Sequence, residues 1–180
     1  RRQRQMCIRD SSNSSRDDVL PTSTDMNLYG GIYREAELIL TERTAISPLH
    51  LGSDGVLVHP QTVGPEKVEG EIEVHITSKG DNSCTLNVDI TSPRGERLFS
   101  KRQKARLDGK TVSVAFSVDN PTLWSLRDPA LYTVTASIGE DSITDRVAVR
   151  TGFRSIGAST AEGLTINGER TPVRGVTLYH

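Results

Sequence analysis

Cysteine is nearly absent: Cys7 and Cys84 are the only two in 180 residues. Two thiols cannot build a disulfide framework or a cysteine-rich metal cluster, so packing must hold the fold together. Cys84 falls at an apolar phase of a strand pattern and reads as a core residue. Aromatics are scarce too, at 4%, with one tryptophan. No apolar run approaches the roughly 20 residues of a membrane helix, so no membrane partner is expected. No stretch repeats its apolar residues at a helical period. There is no glycine-rich phosphate loop, no paired-histidine metal motif and no nucleophile elbow. Charge of one sign is lacking as well: 22 basic against 23 acidic residues leave a net charge of −1. That balance gives no reason to expect nucleic acid or another polyanion as a partner.

The sequence offers instead short alternating runs between turns. Ile72, Val74 and Ile76 share one phase, with Glu71, Glu73 and His75 on the other. Leu86, Val88 and Ile90 oppose Asn87, Asp89 and Thr91; Val112, Val114, Phe116 and Val118 oppose Ser113, Ala115 and Ser117. Strands are expected at 32–40, 55–59, 70–77, 84–91, 96–104, 110–118, 131–138 and 142–150, with 43–55 a link punctuated by Pro48, Gly52 and Gly55. About seven strands with turn signals every 8–12 residues argue for an all-β fold, an immunoglobulin-like antiparallel β-sandwich over 43–154 with incomplete flanking segments. Its core should include Ile72, Val74, Ile76, Leu86, Val88, Ile90, Val112, Val114, Phe116, Leu131, Val134 and Val147. Residues 1–18 carry almost no apolar content and read as a disordered leader or an artefact, such as translated adaptor DNA. Their basic start lacks the apolar core of a secretory signal.

The last third holds the clearest local signals. Leu164–Ile166 and Val173–Val176 flank Asn167-Gly168, a pair that tolerates the positive φ of a hairpin turn. The intervening residues are too many for a two-residue loop, so a longer connection is expected. The chain then stops at Val176-Thr177-Leu178-Tyr179-His180, within a strand-like run, which points to a fragment.

Four segments carry a resemblance. They are DMNLYGGIYREAELI (25–39), NPTLWSLRDPALYTV (120–134), TGFRSI (151–156) and LTINGERTPVRGVTLYH (164–180). In this order and spacing they resemble glycoside hydrolase family 2, the β-galactosidases, β-glucuronidases and β-mannosidases. The resemblance implies that 19–42 end a jelly-roll domain and that 155–180 form a hairpin and the first strand of a catalytic (β/α)₈ barrel. It implies a retaining exo-β-glycosidase, most like a β-galactosidase, acting on terminal β-glycosides. Such enzymes use two glutamates about 5–5.5 Å apart, and by the resemblance both lie downstream of His180. No catalytic residue is therefore assigned, and the chain alone is expected to be inactive.

Two residues are carried over as sugar contacts. Asp25 matches an aspartate that in the β-galactosidase branch reaches sugar and a sodium ion, so Na⁺ or Mg²⁺ is the implied cofactor; a carboxylate suits both a hard cation and sugar hydroxyls. A turn residue is the plainer reading of Asp25. His180 lies where the family places a histidine, at the C-terminal end of the first barrel strand. The commonest form of the family has that histidine at the position of Tyr179. Trp124, between Pro121 and Pro129, reads as a packing residue rather than a stacking platform. Arg34 and Arg154 read as structural arginines pairing with carboxylates or carbonyls. The implied partner is a β-linked glycoside, with oligomerisation open and a bacterial cytoplasm or periplasm as the setting. The alternative is a free-standing immunoglobulin-like binding or adhesion module, which predicts an aromatic surface platform.

Overall fold

The computed structural model describes residues 35, 38–47, 50–107 and 111–177. The chain divides into two units, one of Arg1–Ile39 with Arg174–His180 and one of Leu40–Val173. Everything below concerns the second, unless stated otherwise.

The alternating runs form antiparallel strands. β1 (Thr44–Ile46), β2 (Val56–Val63), β3 (Lys67–Ser78) and β6 (Thr111–Asp119) make one sheet, in which β1, β2 and β6 all pair with β3. β4 (Ser83–Thr91), β5 (Arg97–Arg106), β7 (Tyr132–Ile138) and β8 (Asp145–Thr151) make the other, in the order β5-β4-β7-β8. β-Branched and aliphatic residues at every second position place one face of each strand inward. The core is Ile46, Val56, Val68, Ile72, Val74 and Ile76 with Val112, Val114, Phe116 and Val118 from the first sheet. Leu86, Val88, Ile90, Ala105, Tyr132, Val134, Ala136 and Ile138 meet them from the second. This is the immunoglobulin-like sandwich expected from turn spacing. A bond across its edge ties the sheets together: Ile46 N donates to Asp145 Oδ2 at 2.7 Å.

Several details depart from the sequence reading. β1 lies inside the span read as a link. Leu131 is only half-buried, and its neighbour Tyr132 takes the core phase with Val134, Ala136 and Ile138. The strand begins at Tyr132, so parity puts Leu131 on the other side. Val147 is half-buried because β8 is an edge strand. Leu38, Ile39 and Leu40 are exposed and lie in no strand; of the expected strand 32–40, Glu35 and these three are the described residues.

A separate three-stranded sheet follows the sandwich, with β9 (Ile156–Ser159), β10 (Gly163–Ile166) and β11 (Glu169–Arg170) in the order β11-β10-β9. The sequence reading had no β9. It also put the return arm of the hairpin at Val173–Val176, whereas Ile166 pairs with Glu169 and Thr165 with Arg170. The turn is therefore the two residues Asn167 and Gly168, with φ of +52° and +79°. Two successive positive φ values give the twist that matches the flanking strands, so the Asn-Gly pair closes the turn without a longer loop. Val173 and Val176 are exposed.

Candidate functional site

Three of the four resembling segments meet at one corner of the sandwich. Trp124 lies within the irregular run between β6 and β7 and is held by its backbone, its N–H donating to Phe153 O at 2.8 Å. Phe153 is fully buried, with ring centroids 4.7 Å from Tyr132 and 5.8 Å from Phe116. Tyr132 is 2% exposed, yet its hydroxyl accepts from Thr122 N at 2.8 Å, so burial leaves no polar atom stranded. Gly152 is required by space: a Cβ there would lie 2.8–2.9 Å from Trp124 Cδ1, Cβ and Cγ. Arg154 places its guanidinium carbon 4.7 Å from the centre of the Trp124 ring. A carboxylate or carbonyl partner was expected for Arg154; the contact found is the indole face, which also suits a planar cation.

The hairpin is pinned to the same corner. Asn167 Nδ2 donates to Trp124 O at 3.0 Å. Its Oδ1 accepts from Ser155 N at 3.0 Å, and its own N–H donates to Ser155 O at 2.9 Å. One side chain therefore makes a turn, holds the end of the sandwich and meets the tryptophan segment. A cleft of about 370 Å³ opens beside it, lined among others by Ser125, Arg127, Asn167, Glu169 and Arg170. Glu169 is the one carboxylate in its lining, so this cleft lacks the acid pair that retaining hydrolysis requires.

A second cluster escaped the sequence reading. Glu73 on β3 lies between two histidines, its Oε2 at 3.1 Å from His59 Nε2 and its Oε1 at 3.0 Å from His75 Nε2. The second approach is close but out of line for a hydrogen bond, which leaves His75 Nε2 unsatisfied. His75 Nδ1 is 3.2 Å from Thr111 Oγ1, and the His50 ring stacks on His75 at 3.5 Å. Backbone bonds Ser47 N to His75 O and His75 N to Gly55 O hold the 47–55 segment over the same strand. The cluster is a clamp on that segment. Among the described residues, no group of three or more His, Cys, Asp or Glu side chains is arranged to hold a metal. The trace of this cluster in the sequence was Glu73 and His75 sharing one phase of the strand; the approach of His50 and His59 comes only with the fold.

Asp25, carried over as a sugar and metal ligand, and His180, carried over as a sugar contact, lie outside the described residues, as do Arg34, Tyr179 and Cys7. Cys84 is half-buried, and burial, with Asp81 nearby, raises its thiol above the ordinary range. It packs against the core as expected.

The family model for glycosyl hydrolases family 2 matches residues 55–154, more than half of the chain. The chain belongs to glycosyl hydrolase family 2. A β-glucuronidase of Bacteroides fragilis is 30% identical over 173 residues, covering 92% of this chain and 25% of that protein. A β-galactosidase of Bacteroides ovatus is 26% identical over 156 residues, covering 83% of this chain and 18% of that protein. Among solved structures, an FMN-binding β-glucuronidase from Facaelibacterium prausnitzii superposes with a TM-score of 0.79 at 31% identity, over 92% of this chain and 25% of that one. The chain thus spans about a quarter or less of the length of these relatives.

Proposed function

We propose that these residues are the supporting, non-catalytic portion of a retaining exo-β-glycosidase, in which the sandwich positions a catalytic barrel through the hairpin. The observation that carries this is the corner. In a family 2 chain, Trp124, Gly152 and Asn167 hold the hairpin to the sandwich by packing and paired hydrogen bonds. A rigid joint at that place is what a hydrolase needs, because two carboxylates about 5 Å apart must be held on a fixed scaffold. In this reading 19–42 close a jelly-roll domain, 155–180 lead into the barrel, and both glutamates follow His180. Asp25 and His180 then wall the sugar pocket, and a hard cation such as Na⁺ would sit at Asp25. The adhesion-module alternative loses its main support, since the single tryptophan is packed against Gly152 and Arg154 rather than offered as a platform.

The relatives include both β-glucuronidases and β-galactosidases, and the β-galactoside assignment rests on Asp25 alone. The experiment compares this 180-residue chain with the full-length parent on aryl β-D-galactoside and aryl β-D-glucuronide, following the anomeric proton of the released sugar by NMR. The chain alone is expected to be inactive. The parent is expected to release product with retained configuration, and to prefer the galactoside. Hydrolysis by the chain alone, or inversion by the parent, overturns the proposal. Preference for the glucuronide removes the sugar assignment and leaves the scaffold role standing.

A further inference from the structure

The near-zero net charge conceals a separation of signs that only the strand register reveals. On the outer face of the first sheet, β3 presents Glu69, Glu71 and Glu73 between the buried Val68, Gly70, Ile72 and Val74. The outer face of the second sheet is the reverse. There, pairing lines up Arg102, Asn87, Ser137 and Arg146 as one row across the four strands. The next row is Ser100, Asp89, Thr135 and Ala148, and the third is Arg97, Thr91, Thr133 and Arg150. Arginines thus stand at all four corners, with hydroxyl and amide side chains between them.

Parity alone would not put Arg97 and Arg102 on one face. The bulge opposite Ile90 and Thr91 adds a residue to β5 and turns Arg97 outward. Its Nη1 accordingly lies 3.9 Å from Asp89 Oδ1 on the outer face. All four corner arginines are exposed. Three interstrand steps separate the two arginine columns by about 14 Å, and two pleat repeats separate the outer rows by about 13 Å. Arg102 is steadied by donating from Nη2 to Glu140 O at 2.6 Å. Lys104 and Arg106 continue the basic column along β5 beyond the platform.

Asp89 is the one acid within these rows. Its Oδ2 accepts from Asn87 Nδ2 at 2.7 Å, and its Oδ1 has no hydrogen bond. The charge of this carboxylate disfavours an anionic group at the centre of the rows, although its own oxygens are covered or already bonded. The surface therefore calls for negative groups at its edges and hydroxyls at its centre. Guanidinium forks match planar carboxylates in pairs. Among the described residues of these rows there is no aromatic ring for a base to stack on, which is what single-stranded nucleic acid uses.

We propose that the outer face of the β5-β4-β7-β8 sheet binds an acidic polysaccharide, with the four arginines taking uronate carboxylates and the accessible Asn87, Thr91, Ser100 and Thr133 side chains between them taking ring hydroxyls, while Thr135 and Ser137 are buried beneath. The proposal stands on the residues of this sheet and does not rest on which sugar the parent hydrolyses.

The test measures binding of the 180-residue chain to polygalacturonate, neutral dextran and oligothymidylate at physiological salt. Polygalacturonate is expected to bind, more weakly as salt rises; dextran is not, and oligothymidylate is expected to bind more weakly than the polyuronate. Two paired variants, Arg102→Gln with Arg146→Gln and Arg97→Gln with Arg150→Gln, are each expected to weaken polygalacturonate binding about tenfold or more, as loss of charged hydrogen bonds predicts. Glu69→Gln with Glu71→Gln, on the opposite sheet, should leave it unchanged. Thermal melts establish that each variant folds, and the Arg97/Arg150 pair serves if loss of the Arg102 tether disturbs folding. The proposal fails if polygalacturonate does not bind, if dextran or oligothymidylate binds as tightly, or if a folded arginine pair leaves the affinity unchanged.

Discussion

Replacing Gly152 with alanine isolates the contact on which the corner depends. The φ of Gly152 is not in the left-handed region, so the backbone accepts alanine and only space is tested. The new Cβ would lie 2.8 Å from Trp124 Cδ1 and 2.9 Å from its Cβ and Cγ. All three are near the root of the side chain or in a rigid ring, so rotation cannot relieve the clash. Either Trp124 moves or the 151–154 segment does. Overpacking of this kind costs about 1–3 kcal/mol. Moving Trp124 also endangers its N–H bond to Phe153 O, the Asn167 bond to its carbonyl and the Arg154 contact. A hydrogen bond contributes about 1 kcal/mol, and an exposed cation–π contact about 0.5–1 kcal/mol. The expected loss is therefore about 2–3 kcal/mol, or roughly 4–12 °C in a melt at about 2–4 °C per kcal/mol for a chain of this size. Because the chain has one tryptophan, its emission reports on this corner alone. Urea unfolding followed by that emission should show a lower midpoint and an altered native spectrum. Removing the obstacle supplies the control: Gly152→Ala combined with Trp124→Ala should be no less stable than Trp124→Ala alone. A Gly152→Ala protein with wild-type midpoint and spectrum would refute the packing argument.

Two further outcomes follow from buried polar partners. Asp145→Ala leaves the amide of Ile46, a residue 2% exposed, without its acceptor. It should lower stability by about 1–3 kcal/mol in urea melts. Tyr132→Phe keeps the ring in the core but removes the acceptor of Thr122 N–H. About 1 kcal/mol should be lost, with native tryptophan emission nearly unchanged because Trp124 keeps its own contacts.

The strands were legible because burial on one face imprints a period of two. Ile72, Val74 and Ile76, or Leu86, Val88 and Ile90, can satisfy that pattern in only one way, and all six are buried. β1 has three residues, too few to display a period, and β9 is exposed along its length, so neither leaves a trace in the sequence. Leu131 was expected in the core although it is out of phase with Val134, and Tyr132, not named among the expected core residues, takes that place. Its burial depends on Thr122 N, a partner that only the folded chain supplies. The arginine platform was hidden for a related reason. Its four corners come from two strands that are not neighbours in sequence, and a bulge breaks the parity that would have grouped two of them. Composition sums charge over the chain, whereas the sheet sorts it by face.

The segments that made the family recognisable are not those that dominate the core. Val68, Val88, Val114 and Val134 are fully buried, but interiors of this kind accept many aliphatic exchanges if volume is kept. Sequence memory of such a core is correspondingly weak. The corner tolerates far less. Gly152 is set by an indole at van der Waals range, and Asn167 by a positive φ, one donor and one acceptor used together. Tyr132 is set by a hydroxyl that must reach a particular amide. Few residue types meet any of these conditions, and no single exchange meets them all. Three of the four resembling segments pass through this corner, so the resemblance is concentrated where geometry narrows the choice of residue. The same side chains fasten the hairpin to the sandwich, which is the contact the proposed scaffold role depends on.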